Sequence, residues 1–171
     1  RQHHGLAHGL YGADEMMHGN NPVQGSELCT AVEMMFSMET ALPITGEVLF
    51  ADHLERVAFN ALPAQTTDNY DSRQYYQQAN QVLISRHPRN FNTAYEGTDQ
   101  LFGVLTGYPC CTSNMHQGWP KFTQNLWYAT ADRGMAALIY APSVATIKVG
   151  GGSQVHVTEQ TNYPFDETIQ F

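Results

Sequence analysis

The sequence predicts an α+β chain, with helices first and an antiparallel β module after them. Three observations point there. Apolar residues recur at helical spacing between Leu28 and Leu62. From about residue 130 the pattern becomes short strands separated by turn residues. Hydrophobic residues make up 42% and charged residues 14% of the 171-residue chain, a balance that favours a globular domain with a sizeable core over disorder.

Taken in order, residues 1–25 read as loop, with glycines at 5, 9, 12, 19 and 25. A first helix follows: Ser26 is the expected N-cap, Leu28, Val32, Met35, Phe36 and Leu42 lie along it, and Pro43 is the expected stop. Thr45 is expected to cap a second helix over 46–61, closed by Pro63. Residues 64–109 are rich in Gln, Asn, Asp and Tyr, with a strand expected at Gln81–Ile84 and a turn or two of helix at 99–106. Thr112-Ser113-Asn114 resembles a cap, so a third helix is expected over 114–129, with Pro120 in its first turn or at a kink. Strands are then expected at Gly134–Tyr140, Ala145–Val149, Gln154–Gln160 and 167–171, with turns at Pro142-Ser143 and Gly150-Gly151-Gly152. Two regions result, 1–129 helical and 130–171 β.

Composition narrows the function. The net charge is −8 and no basic cluster interrupts it, which argues against nucleic-acid binding, because phosphates need a Lys/Arg patch. No apolar stretch approaches the ~20 residues of a membrane-spanning helix. The polar surface is mostly Asn, Gln, Ser, Thr and Tyr, side chains suited to neutral ligands such as sugars. The chain opens Arg1-Gln2-His3-His4-Gly5 and stops inside an expected strand, so both ends read as cut. The rest of a parent chain is then an expected partner, and the compartment is not legible.

The three cysteines carry the chemistry. Cys110 and Cys111 are adjacent, and Cys29 follows Glu27 and Leu28. Three thiols cannot pair off without leaving one over. Three thiolates and one carboxylate can complete a four-coordinate zinc shell. On a regular helix Glu27 and Cys29 would point about 200° apart, so they converge only from an irregular first turn. Cys110 and Cys111 also lie at an expected helix start, where free N–H groups favour thiolate. Buried structural cysteines or a strained vicinal disulfide remain alternatives on spacing alone.

Longer strings point to a family. Gly25-Ser26-Glu27-Leu28-Cys29-Thr30, Ala51-Asp52-His53-Leu54-Glu55-Arg56-Val57, Phe59-Asn60-Ala61-Leu62-Pro63-Ala64-Gln65 and Tyr108-Pro109-Cys110-Cys111-Thr112-Ser113-Asn114 resemble glycoside hydrolase family 127 β-L-arabinofuranosidases and the related family 146. The resemblance runs from about Gly12 to Ser143. It implies the C-terminal part of an (α/α)6 barrel followed by the start of a β-sandwich. It further implies zinc on Glu27, Cys29, Cys110 and Cys111, with Cys110 as nucleophile and Glu15 as general acid/base. The Glu15 match is looser, because the intervening loop varies in length. The implied reaction releases a terminal furanosyl sugar with retention from a glycoside or oligosaccharide.

Other residues have plainer readings beside functional ones. His4 and His8 are loop histidines or sugar-hydroxyl ligands. Tyr108 borders the thiol pair and is expected to line a pocket. His116 is a cap-region residue or a site contact. Glu33 is a surface charge or an outer partner of Cys29. Met34, Met35, Met38, Trp119 and Trp127 read as core, and Asp52, Glu55 and Arg56 as a structural charge group. Two other functions compete with the hydrolase: a non-catalytic zinc-containing or carbohydrate-binding segment, and a metal-free cysteine hydrolase pairing Cys110 with His116.

Overall fold

The computed structural model describes residues 2–12, 16–79, 81, 84 and 109–171, and the backbone alone of 101–103. Helices come first and antiparallel strands last, as expected, but short strands also lie among the helices and several boundaries differ.

Strand β1, Ser26–Glu27, runs directly into helix α1, Leu28–Thr45. Leu28, Ala31, Val32, Met35, Met38 and Leu42 are buried along α1, the stripe that helical spacing places on one face. Ser26 does not cap α1. Its hydroxyl donates to the Tyr11 carbonyl instead, and Glu27 occupies the N-cap position in extended conformation. Pro43 does not end the helix. It lies in the last turn, where only its own missing N–H is lost, and Gly46 ends α1 in left-handed conformation (φ 71°) with its N–H on Leu42 O. Thr45 thus belongs to α1, and its hydroxyl donates back to Ala41 O at 2.9 Å.

Helix α2, Leu49–Arg56, widens into a π-helical turn at Val57–Ala61, closed by Leu62 N–H donating to Val57 O at 3.0 Å. A 3-10 turn, Pro63–Gln65, follows. Strand β2, Ser72–Gln74, pairs with β4, Leu101–Gly103, and β3, Tyr76–Gln77, pairs with β1. A strand therefore stands where helical turns were expected at 99–106. Of the expected strand Gln81–Ile84, Val82 and Leu83 lie outside the described residues.

Helix α3, Pro109–Gln124, begins five residues before the expected start at 114 and ends five before the expected stop at 129. Trp127–Ala129, expected at the helix end, is strand β5 paired with β6, Met135–Ala137. Asn125 ends the helix by donating its side chain to Lys121 O at 2.8 Å. Last comes a three-stranded antiparallel sheet: β7, Ser143–Val149, β8, Ser153–Thr161, and β9, Ile169–Gln170. Its β7–β8 register, Ser143 opposite Glu159 to Val149 opposite Ser153, is set by the glycine turn, where Gly150 and Gly152 take positive φ.

The core lies where α1, α2, the π turn and α3 meet, joined by Tyr75, Tyr76, Leu126 and Ile139. Phe122 meets Phe59 and Trp119 edge to face, each with centroids 5.7 Å apart. Close approach of α3 depends on Gly118, where a Cβ would lie 2.9 Å from Leu62 Cδ2 and 3.3 Å from Val32 Cγ2. Met35 and Met38 are buried and Met34 packs against them, as helical spacing predicts. Among the described residues, no helix is long and apolar enough to cross a membrane.

Candidate metal centre

The β1–α1 junction and the first turn of α3 bring Glu27, Cys29, Cys110 and Cys111 together, with one ligand atom from each lying within 4.8 Å of the others. Convergence of Glu27 with Cys29 follows from the backbone. Glu27 has φ −74° and ψ 146°, so the pair straddles a strand-to-helix boundary and escapes the angular separation of a regular helix. The junction is tied down on both sides. Leu28 N–H donates to Tyr75 O at 3.0 Å, and the fully buried Gln65 amide reaches Ser26 O at 3.4 Å and Tyr75 O at 3.3 Å.

Cys110 and Cys111 do not precede α3, as the capping signature implied. They are its second and third residues, where backbone N–H groups have no carbonyl a turn earlier to bond. Thr112 accepts a hydrogen bond from Nε of the buried Arg73 at 2.8 Å, which anchors this turn to β2. Cys29 Sγ lies 3.7 Å from Cys111 Sγ, and Cys110 Sγ lies 4.0 Å from Cys111 Sγ. Two sulfurs on one tetrahedral zinc, each with an arm of about 2.3 Å, stand about 3.8 Å apart. The donor set and its spacing therefore fit zinc, and four protein ligands fill a tetrahedral shell.

The three thiols differ in setting. Cys111 is buried, Cys29 half-buried and Cys110 exposed. The Cys29 thiol is pushed well above its ordinary range, first by its hydrogen bond with Cys111, then by burial and by Glu27, while the Asn114 side chain pulls it the other way. Cys110 is also pushed up, first by partial burial and then by the neighbouring Cys29. Crowded thiols resist losing protons together, whereas a bound dication reverses that preference.

Other expected site residues have separate settings. His4 is half-buried, and its Nδ1 accepts the Gly19 N–H at 2.8 Å, so it braces the N-terminal loop. His8 is buried, and burial holds its imidazole down at about 4. Its two ring nitrogens have no hydrogen-bond partner among the described residues. His116 is exposed on α3 and is not one of the grouped ligands. Glu33 is exposed on α1. Glu15 and Tyr108 lie outside the described residues. Asn114, read from sequence only as a capping residue, lies inside α3 and is half-buried there.

A profile described as "Beta-L-arabinofuranosidase, GH127 catalytic domain" matches residues 3–124. No curated protein sequence matches the chain significantly. Among solved structures, the chain is similar to the GH127 β-arabinofuranosidase BT3674, at 18% identity and TM-score 0.72, over 98% of this chain and 25% of that one. It is also similar to Ara127N-Se, a GH127 β-L-arabinofuranosidase from Geobacillus stearothermophilus T6, at 15% identity and TM-score 0.76, over 98% and 27%. A third structure, titled a glycoside hydrolase, aligns at 15% identity and TM-score 0.69, over 98% and 30%. The chain thus spans about a quarter to three tenths of the structures it resembles. With a catalytic-domain profile covering most of its length, the chain belongs to the GH127 β-L-arabinofuranosidase family.

Proposed function

We propose that this chain supplies the nucleophile and metal centre of a retaining glycoside hydrolase that releases a terminal β-L-arabinofuranose-like sugar. Residues 1–129 would belong to an (α/α)6 catalytic barrel and 130–171 to the start of a β-sandwich. The observation that carries the reading is the position of Cys110: it is the exposed member of a cluster whose other thiols are half-buried and buried. A sugar has access to that sulfur before the others.

Zinc held by Glu27, Cys29, Cys110 and Cys111 would keep these thiols deprotonated and oriented at neutral pH. The remaining work falls to side chains. Glu15, protonated, gives its proton to the leaving oxygen as the anomeric C–O bond breaks. The Cys110 sulfur forms a bond to the anomeric carbon on the opposite face. Glu15, now a carboxylate, takes a proton from water as the water oxygen attacks that carbon and the C–S bond breaks. Two inversions give net retention, with sulfur in the place usually held by a carboxylate.

The test compares Cys110→Ala with Cys111→Ala in the full-length enzyme, alongside mass mapping of a furanoside-directed covalent probe. Loss of turnover in Cys110→Ala and labelling of wild type at Cys110 support the assignment. Full turnover in Cys110→Ala overturns it. Bound zinc with no labelling and no turnover supports the non-catalytic reading. Full activity after complete zinc removal supports the metal-free cysteine hydrolase.

A further inference from the structure

Helix α2 and the π-helical turn after it carry two rows of side chains at four-residue spacing. Glu55 and Phe59 form one row, turned toward the strands. Glu55 is engaged by Tyr140 and Tyr163, and the Phe59 ring meets the Tyr163 ring edge to face with centroids 6.2 Å apart. Asp52, Arg56 and Asn60 form the other row, and all three are exposed. The turn after β8 brings up Phe165, whose N–H donates to Asn162 O at 2.9 Å and whose side chain leaves the residue 95% exposed. Between the exposed row and this turn lies an open groove of about 600 Å³, with Phe59 and Tyr163 also in its lining. We infer that this groove is a sugar-binding site, separate from the thiol cluster, that takes a neutral oligosaccharide: Phe165 stacks on a sugar ring while Asp52, Arg56 and Asn60 bond its hydroxyls.

A sugar presents apolar C–H faces and a rim of hydroxyls. An exposed aromatic ring covers the first, and planar polar side chains with several donors or acceptors suit the second. The groove holds both. Among the described residues, neither the Asp52 carboxylate nor the Arg56 guanidinium has a hydrogen-bond or ion-pair partner. Asn60 donates its amide N–H to Arg56 O at 2.9 Å, which leaves its Oδ1 as an acceptor. Charge selects a neutral ligand, because Asp52 and Glu55 oppose an anion and Arg56 opposes a cation. A purely apolar partner would bury Asp52 and Arg56 unpaired, at a cost. The volume suits a small-molecule site, for which about 300–1,000 Å³ is usual. The lining is also pre-formed. Tyr163 is fixed by its 2.6 Å bond to Glu55 and by edge-to-face contacts with Phe59 and with Tyr140, the latter at 5.8 Å between centroids, so little ordering is needed on binding. Asp52, Glu55 and Arg56 read from sequence as one structural charge group, yet only Glu55 is engaged that way. No residue of the groove belongs to the thiol cluster, so this inference goes beyond the proposed hydrolase and does not depend on it.

The experiment titrates the full chain with a short neutral arabino-oligosaccharide, reading affinity by calorimetry and contact by saturation-transfer NMR. Phe165→Ala is expected to weaken binding about 10-fold, and Phe165→Trp to restore it. Asp52→Ala is expected to weaken it by about 10-fold as well. Both positions are exposed, so wild-type unfolding midpoints are expected in all three variants. Cys110→Ala is expected to bind as wild type does. Unchanged affinity in Phe165→Ala and Asp52→Ala, or no binding by wild type, would overturn the site. Binding abolished by Cys110→Ala but untouched by Phe165→Ala would put the sugar at the thiols and overturn it too. Tighter binding of a uronic-acid oligosaccharide than of the neutral one would overturn the choice of ligand. A chain that binds through Phe165 and never hydrolyses a furanoside would sink the proposed function alone and leave the groove standing.

Discussion

The sulfur of Cys29 lies 3.7 Å from the sulfur of Cys111, although 82 positions separate them in the chain. The contact exists because the N-termini of α1 and α3 sit side by side, held by the tight packing around Gly118. If the cluster binds zinc, the ion ties the two helices together. At a free zinc concentration one hundred times Kd, linkage adds about 2.7 kcal/mol to stability. Chelation should therefore lower the thermal midpoint of wild type. Cys111→Ala should lower it without metal removal and abolish the further response to chelator. An unchanged wild-type midpoint in excess chelator would count against a structural contribution from metal.

The close contact at Gly118 makes a second prediction. Gly118→Val forces two methyl groups into space already occupied by Leu62 and Val32, and should cost about 1–3 kcal/mol through overpacking. Urea unfolding measures this. Because α3 carries two of the grouped thiols, the same substitution should weaken zinc binding.

Glu55 ties the helical part to the strands. Its Oε1 accepts the Tyr140 backbone N–H at 3.1 Å and its Oε2 accepts the Tyr163 hydroxyl at 2.6 Å. The Tyr163 phenol is pushed up to about 12, first by this bond to Glu55. Tyr163→Phe should lower stability by about 1–2 kcal/mol, the loss of a hydrogen bond to a charged acceptor at a half-buried position. A change smaller than the error of urea unfolding would show that water replaces the phenol at no cost.

Two buried groups give pH dependences of opposite sign. Glu39 is buried beside Asn125, and burial raises its carboxyl to about 7, with Lys121 opposing. Between the ordinary carboxylate value and about 7 the folded chain holds more protons than the unfolded chain, so Glu39 makes stability fall as pH rises through that window. His8 behaves the other way. Burial lowers it to about 4, the unfolded chain binds the proton first, and stability falls as pH drops from 6.5 toward 4. Glu39→Gln should remove the loss on the alkaline side, and His8→Gln the loss on the acid side, in denaturant midpoints taken from pH 4 to pH 8. Parallel curves for wild type and variant would refute the assignment in either case.

Much of the chain's local order was legible. The spacing of Leu28, Val32, Met35 and Leu42 located α1, and the glycines at 150–152 located the β7–β8 turn. Boundaries were less legible, because prolines and Ser/Thr/Asn caps have more than one use. Pro43 is tolerated in a last turn, Ser26 bonds back to Tyr11, and Thr112-Ser113-Asn114 lies inside α3. Trp127–Ala129 looked like a helix end because its apolar residues continue those of α3, yet pairing with Met135–Ala137 makes it a strand. That pairing is set by residues up to ten positions away, beyond the window that helical spacing reads.

The sequence alone determined which atoms are available: one carboxylate, three thiols, and motifs specific enough to point to a glycosidase family. Tertiary structure decided which of those atoms meet and how each is exposed. The extended backbone at Glu27 turned an unfavourable two-residue spacing into a convergent one, and packing of α3 on α1 left Cys110 open while burying Cys111. The physical reason is range. Helical and strand periodicity act over a few residues, whereas the approach of two helix ends is set by side-chain packing between segments some eighty positions apart.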